Sequence, residues 1–140
     1  MKETNLPKII RAQKSDKNKI KGVLKLGFSS DPLIRWVFPD PNIYLESFDV
    51  WMEEFSNYHP DDAWYLAFIG VDPSKQGLGV GSFILKEALK HIDELGERAY
   101  LESSNPRNMS LYERHGFESM GKVQIGDSPP AHPMIREARK

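Results

Sequence analysis

The passage from Trp64 to Gly96 constrains the fold more than any other part of the chain. It opens with Trp64-Tyr65-Leu66-Ala67-Phe68-Ile69-Gly70-Val71, which is apolar on both alternating faces and reads as a central strand covered on each side. Asp72-Pro73 closes that strand, and Gln76-Gly77-Leu78-Gly79-Val80-Gly81 follows. Val80, Phe83, Ile84, Leu85, Ala88, Leu89, Ile92 and Leu95 then recur at the spacing of one helix face, until Gly96 supplies a C-terminal cap. Arg98 to Glu102 reads as a second strand. Two strands joined through one helix are parallel and connected by a right-handed crossover, which commits the chain to an α/β or α+β layer structure.

Alternating glycines between a strand and a helix can aim successive backbone N–H groups at one point, because glycine has no Cβ and tolerates positive φ. The positive end of the following helix adds to the attraction, so Gln76 to Ser82 is a candidate cradle for a pyrophosphate. The alternative is a glycine-rich structural turn. No Gly-Lys-Ser/Thr ends the loop, and glycines at 77, 79 and 81 do not have the G-x-G-x-x-G spacing, so it is neither a P-loop nor a dinucleotide fingerprint.

Around this centre, Lys8 to Ala12 is a short strand candidate. Ser15-Asp16 then caps a helix carrying Ile20, Val23, Leu24 and Phe28. Prolines at 32, 39 and 41 bound a short helical or extended piece. Tyr44, Phe48, Trp51, Met52, Phe55 and Tyr58 predict a packing helix over 43 to 58, ended by His59-Pro60. A second helix over Pro106 to His115 stops at Gly116, and strands are predicted over 117 to 125 and, after the breaks at Pro129, Pro130 and Pro133, over 134 to 136. With no repeat or linker, residues 1–140 read as a single domain of four or five strands and about four helices.

Nineteen basic against twenty acidic residues leave a net charge of −1, which gives no footprint for nucleic acid or an anionic membrane. The absence of cysteine removes disulfides, thiolate nucleophiles and cysteine-based zinc sites. Histidines at 59, 91, 115 and 132 lack metal-ligand spacing, so no metal is expected. The longest apolar run is the eight residues from Trp64 to Val71, short of the roughly 20 that span a bilayer. With no signal-peptide core, a soluble cytoplasmic protein is expected.

The run Gln76-x-x-Gly79-x-Gly81, preceded by Val71-Asp72-Pro73, resembles the acyl-CoA signature of the GNAT superfamily of N-acetyltransferases. Asn105 followed by Leu111-Tyr112-Glu113-Arg114-His115-Gly116-Phe117 resembles that family's second segment. Ile10-Arg11-Ala12, Phe28, Asp31-Pro32, Trp36 and Pro39 resemble the opening of one branch, and Pro130 to Arg136 its close.

The resemblance implies a GNAT-like mixed central sheet with helices on both faces, and a division into opening elements (8–41), an acyl-CoA-binding core (64–117) and closing strands (118–140). It implies acetyl transfer from acetyl-CoA to a primary amine, of a small molecule or a peptide, by direct attack. Backbone amides of Gln76, Gly77, Gly79, Gly81 and Ser82 would hold the pyrophosphate. Ile69, Gly70 and Val71 would pair with the pantetheine arm and offer an N–H to the thioester oxygen. Asn105 and Arg107 would sit near the cofactor, and Tyr112 would protonate the departing thiolate. Each has a plainer reading: Gln76 as a turn residue, Asn105 as an N-cap, Tyr112 as a core aromatic.

The chain departs from the family in two respects. The strand before the loop holds no carboxylate, so Glu102, taken as an internal carboxylate in an apolar setting, is the first candidate for the base, ahead of Asp62 and His59, with a structural role as its alternative. Between Pro41 and Trp64 there is no hairpin signal, so the family's second and third strands are expected to be missing. The edge of strand 64–71 then needs covering by strand 8–12, by helix 43–58 or by a second subunit in a homodimer. The competing reading is a shortened, catalytically impaired CoA-binding or interaction protein.

Overall fold

The computed structural model describes residues 8–56 and 62–139. Five α-helices, α1 (Lys17–Gly27), α2 (Pro32–Val37), α3 (Pro41–Ser56), α4 (Val80–Leu95) and α5 (Met109–Arg114), accompany four strands, β1 (Trp64–Leu66), β2 (Ala99–Ser103), β3 (Glu118–Ser119) and β4 (His132–Arg136). The sheet order is β1-β2-β4-β3, with β1 parallel to β2 and the other two pairings antiparallel. This is the expected α/β fold with a mixed sheet. Among the described residues no strand lies between α1 and β1, as the missing hairpin signal predicted.

Alternation along β2 divides the sheet into two faces. Ala99, Leu101 and Ser103 are buried on one face, where Leu85, Leu89 and Ile92 of α4 and Tyr112 of α5 complete a core with Phe117 and Met134. Tyr100 and Glu102 point to the other face, which no helix of that core covers. A second cluster joins α2 and α3 through Ile34, Tyr44, Phe48 and Met52, with Phe28 and Phe68 packed on it. Lys17 and Lys21 pair with Glu53, and Lys25 with Asp49, so ion pairs tie α1 to α3 at the surface of this helical layer.

Several expectations from the sequence are corrected. Residues 8–12 form no strand and are exposed. Ile9 and Ile10 give that segment one apolar residue per face, too little to hold it on an edge. The run from Trp64 is paired only to Leu66, and Ala67 to Val71 leave the ladder. Helix 43–58 begins earlier, at Pro41, where Asp40 accepts from Asn42 N and Ile43 N, and it is described to Ser56; Tyr58 and His59 lie outside the described residues.

The strand expected over 117–125 shrinks to Glu118–Ser119 and a single bridge, Val123 with Ala131. The last strand includes Pro133, opposite Glu102. Proline fits because its C=O, and so its missing N–H, faces Met120, one residue past the end of β3. Among the described residues no strand pairs with the free edge of β1, so the expected covering by strand 8–12 is not seen; α3 packs instead on Phe68, beyond the strand, the Phe48 and Trp51 rings standing edge-on to it.

Candidate active site

The site is made by a divergence of two parallel strands. Pairing runs from Trp64↔Ala99 to Leu66↔Leu101 and stops, while β2 continues against β4 as far as Ser103↔His132. Beyond Leu66 the chain bends to the helical layer. Phe68 enters the aromatic cluster, and Gly70 lies so close to α1 that a Cβ there would stand 2.8 Å from Leu24 Cδ2. Glycine at 70 thus brings the backbone of Ala67 to Val71 against a helix instead of a strand. Two cavities open beside this split.

The first cavity, about 460 Å³, is lined by Ile69, Gly70 and Val71 on one side and by Gln76, Gly77, Gly79, Gly81 and Ser82 on another, with Asn105, Arg107 and Tyr112 completing it. All ten residues expected near a cofactor therefore line one cleft. Gly77 and Gly79 have φ of 78° and 80°, in the left-handed region, and a Cβ at either would meet nothing within 4 Å. Gly79 is the N-cap of α4 and brings no side-chain acceptor, so the N–H groups of the first helical turn face the cleft without a side-chain cap. Gln76 fixes the loop from behind by donating from Nε2 to the Val71 carbonyl at 3.1 Å. Asp72 does the same one turn earlier, accepting from Ser74 N, and the two Ser74 hydrogen bonds hold its carboxyl below the ordinary range.

Asn105 is an N-cap, accepting from Arg107 N at 3.1 Å, and lines the cleft as well, so the plain and the functional readings of that residue coexist. Lys75 and Arg114 join Arg107 on the lining; Arg114 lies within the Tyr112–Phe117 segment, where the resemblance gives it no role, and Lys75 falls on no motif position. Ser82 Oγ lies 2.9 Å from His115 Nε2, and burial together with Arg114 and Arg136 holds the His115 pKa below its ordinary value. His115 is therefore neutral near pH 7 and can accept from the hydroxyl.

The second cavity, about 420 Å³, lies on the open face of the sheet. Its walls are Trp36 and Val37 of α2, Trp51 of α3, the cross-strand pair Tyr65 and Tyr100, and Val123 and Ile125 of the closing segment. Glu102 lines this cavity and not the first. Contrary to the sequence expectation it is exposed, because it shares a face of β2 with Tyr100 and not with Leu101. Tyr65 donates to Glu102 Oε2 and Tyr100 to Oε1, each at 3.0 Å. Burial and the nearby carboxylate push the Tyr100 phenol up to about 12 and raise Tyr65 further. Asp62 lies in neither cavity, and its carboxylate pairs with Arg98 at 3.1 Å.

Phe28, Ile69, Asn108 and Tyr112 line both cavities, which therefore meet at the split. Tyr112 is buried, packs edge-on against Phe117, and its hydroxyl has no hydrogen-bond partner among the described residues. Burial first, then the Asp31 carboxylate, push its pKa up to about 12. Asp31 itself caps α2 by accepting from Leu33 N and Ile34 N, and its second oxygen accepts from Ser104 Oγ at 2.6 Å. One buried carboxylate thus ties α2 to the chain just beyond β2. The Asp31-Pro32 pair carries the sequence signal of this cap, aspartate followed by proline in the first helical turn.

A mixed sheet whose two parallel strands part beside a glycine loop at a helix N-terminus leaves a cleft lined by bare backbone in the gap. Comparison with known proteins gives the family. Residues 38–117 match the Acetyltransferase (GNAT) family, and the chain belongs to that family. It is 36% identical over 81 residues to a mycothiol acetyltransferase of Thermomonospora curvata, which covers 56% of this chain and 27% of that protein. It is 34% identical over 80 residues to an uncharacterised N-acetyltransferase of Schizosaccharomyces pombe, covering 55% of this chain and 32% of that one. The matches thus span about a quarter to a third of those relatives.

Among solved structures, a Corynebacterium glutamicum chain described as histone acetyltransferase HPA2 and related acetyltransferase shares the fold at a TM-score of 0.75. It has 23% identity and is covered over 96% of its length and 94% of this chain. Among the described residues no helix is long and apolar enough to cross a membrane. No group of three or more metal-ligating side chains lies together among them.

Proposed function

We propose that the protein is an N-acetyltransferase that carries an acetyl group from acetyl-CoA directly to a primary amine. The observation that carries this reading is the meeting of the two cavities at Tyr112. The glycine cleft suits the cosubstrate: it offers bare backbone, an uncapped helix N-terminus and the cations Lys75, Arg107 and Arg114 to a pyrophosphate. The main chain of Ile69 to Val71 lies outside the strand ladder, and apart from the Val71 carbonyl held by Gln76 it offers hydrogen bonds to an extended pantetheine amide chain.

The amine approaches from the aromatic cavity and gives up a proton to Glu102. Its lone pair then attacks the thioester carbon, the oxygen being stabilised by a main-chain N–H of the 69–71 segment, and the carbon–sulfur bond breaks. Tyr112 donates its hydroxyl proton as sulfur gains charge and recovers one from the new amide nitrogen. A phenol pushed up to about 12 remains protonated, and so able to donate, across the neutral range.

Two measurements test the proposal in sequence. Calorimetry with acetyl-CoA is expected to give a dissociation constant in the micromolar range, and no heat at millimolar ligand removes the proposal entirely. Release of free thiol on adding amines then tests transfer. Binding without release for any amine supports a CoA-binding protein that does not turn over.

A further inference from the structure

The second cavity also carries information about what the acceptor is. Among the described side chains that line it, Glu102 bears the one charge. It enters no ion pair among the described residues, and its two hydrogen bonds come from neutral tyrosine hydroxyls, one to each oxygen. A carboxylate has about four acceptor sites, so about two remain open for a donor from a ligand. Around it the walls are large, apolar and bare: Trp36 is 43% exposed, Val123 54% and Ile125 73%. Exposed aromatic and aliphatic surface next to a single anion matches a ligand with one cationic head and an apolar body.

The same inventory argues against other amines. A free amino acid brings a carboxylate, for which the lining holds no cation, and a peptide amine brings backbone amides, which the apolar walls of Val37, Val123 and Ile125 cannot bond. A polyamine brings a second ammonium, for which it holds no second anion. A sugar amine brings several hydroxyl donors, for which the walls of Trp36, Trp51, Val37, Val123 and Ile125 hold no side-chain acceptor. We infer that the acceptor is a hydrophobic monoamine, an arylalkyl or bulky alkyl ammonium, whose nitrogen is received by Glu102 and whose body lies between the α2–α3 aromatics and the Val123–Ile125 arm. This deepens the transfer reaction proposed above and rests on it for the fate of the nitrogen, but not for the binding.

The assay is thiol release by the intact protein with acetyl-CoA and a panel of 2-phenylethylamine, phenylalanine, spermidine and a lysine-containing peptide. The expected result is a kcat/KM for 2-phenylethylamine at least tenfold above each of the others. Glu102→Gln is expected to raise its KM tenfold or more, with the KM for acetyl-CoA within twofold of wild type. Trp36→Ala, at an exposed position, is expected to cut the preference for 2-phenylethylamine over ethylamine about fivefold with little change in thermal midpoint.

Equal or better use of spermidine, phenylalanine or the peptide overturns the inference. If no amine is turned over, calorimetry of 2-phenylethylamine into protein saturated with CoA separates the two readings. Binding that weakens tenfold in Glu102→Gln sustains this inference while the transfer reaction falls, and no binding overturns both.

Discussion

The two cavities are nearly equal in size, about 460 and 420 Å³, and opposite in construction. The first is made largely of backbone: left-handed glycines, an uncapped helix end and an unpaired strand extension. The second is made of side chains drawn from α2, α3, the outer face of the sheet and the closing segment. A backbone-built site depends on conformation and so is fixed by a few glycines at fixed spacing. A site built of side chains depends on what four separate elements bring together, and changes with any of them.

Variants can break this comparison, the strongest where the cavities meet. Tyr112→Phe keeps the ring in the core and removes the proton donor. It is expected to lower kcat by about 10²- to 10³-fold with acetyl-CoA affinity unchanged by calorimetry. Equal losses of turnover and affinity mean that Tyr112 shapes the cleft and does not act on the leaving group. Because burial pushes this phenol up to about 12, the wild-type rate should show no alkaline fall from Tyr112 below about pH 11.

Asp31→Ala comes next and tests whether α2 can be loosened with less effect on the glycine cleft, which Asp31 itself lines. It removes the α2 cap and the bond from Ser104, together worth about 2 kcal/mol, which is roughly 6 °C in thermal midpoint for a chain of this size. Since α2 carries Trp36 and Val37, the KM for the amine should rise several-fold more than that for acetyl-CoA. Equal changes would mean that the cavities are mechanically one unit.

Gly79→Ala is the counterpart on the cofactor side. Alanine at φ 80° is strained by about 1 kcal/mol, so the thermal midpoint should fall only about 3 °C, while acetyl-CoA binding should weaken about tenfold as the loop N–H groups are turned away. Amine binding should not change. The smallest effect concerns His115. Its folded pKa lies below the ordinary 6.5, so the folded state takes up a proton less readily than the unfolded one. The stability this contributes is present above pH 6.5 and is lost as pH falls toward the lowered value. Thermal midpoints between pH 7 and 5 should therefore fall more in wild type than in His115→Gln.

The same contrast governs how much of the molecule can be read from its sequence. The crossover around α4 is legible because helix periodicity, the cap at Gly96 and the loop glycines are local signals. Strand 64–71 is legible as extended but not as divided, because Phe68 and Gly70 are apolar or small whether they face a strand or α1. Glu102 shows the limit of composition alone. Its apolar neighbours suggested burial, yet strict alternation from Ala99 and Leu101 puts it beside Tyr100 on the open face. The aromatic cavity itself could not be read, since Trp36, Trp51 and Val123 come from segments whose approach is set by tertiary packing. Trp51, assigned to packing from its periodicity, does pack against Phe38 and Phe68, and also walls that cavity.

The parting of β1 and β2 at Leu66 has a kinetic corollary. Because the glycine cleft and the aromatic cavity approach the split separately and, among the described residues, share only Phe28, Ile69, Asn108 and Tyr112, the two substrates of the proposed reaction need not pass each other. Both can be resident together, and each product can depart on the side by which its precursor arrived. Initial-rate plots against either substrate should then intersect, with no parallel-line pattern, and CoA should compete with acetyl-CoA but not with the amine.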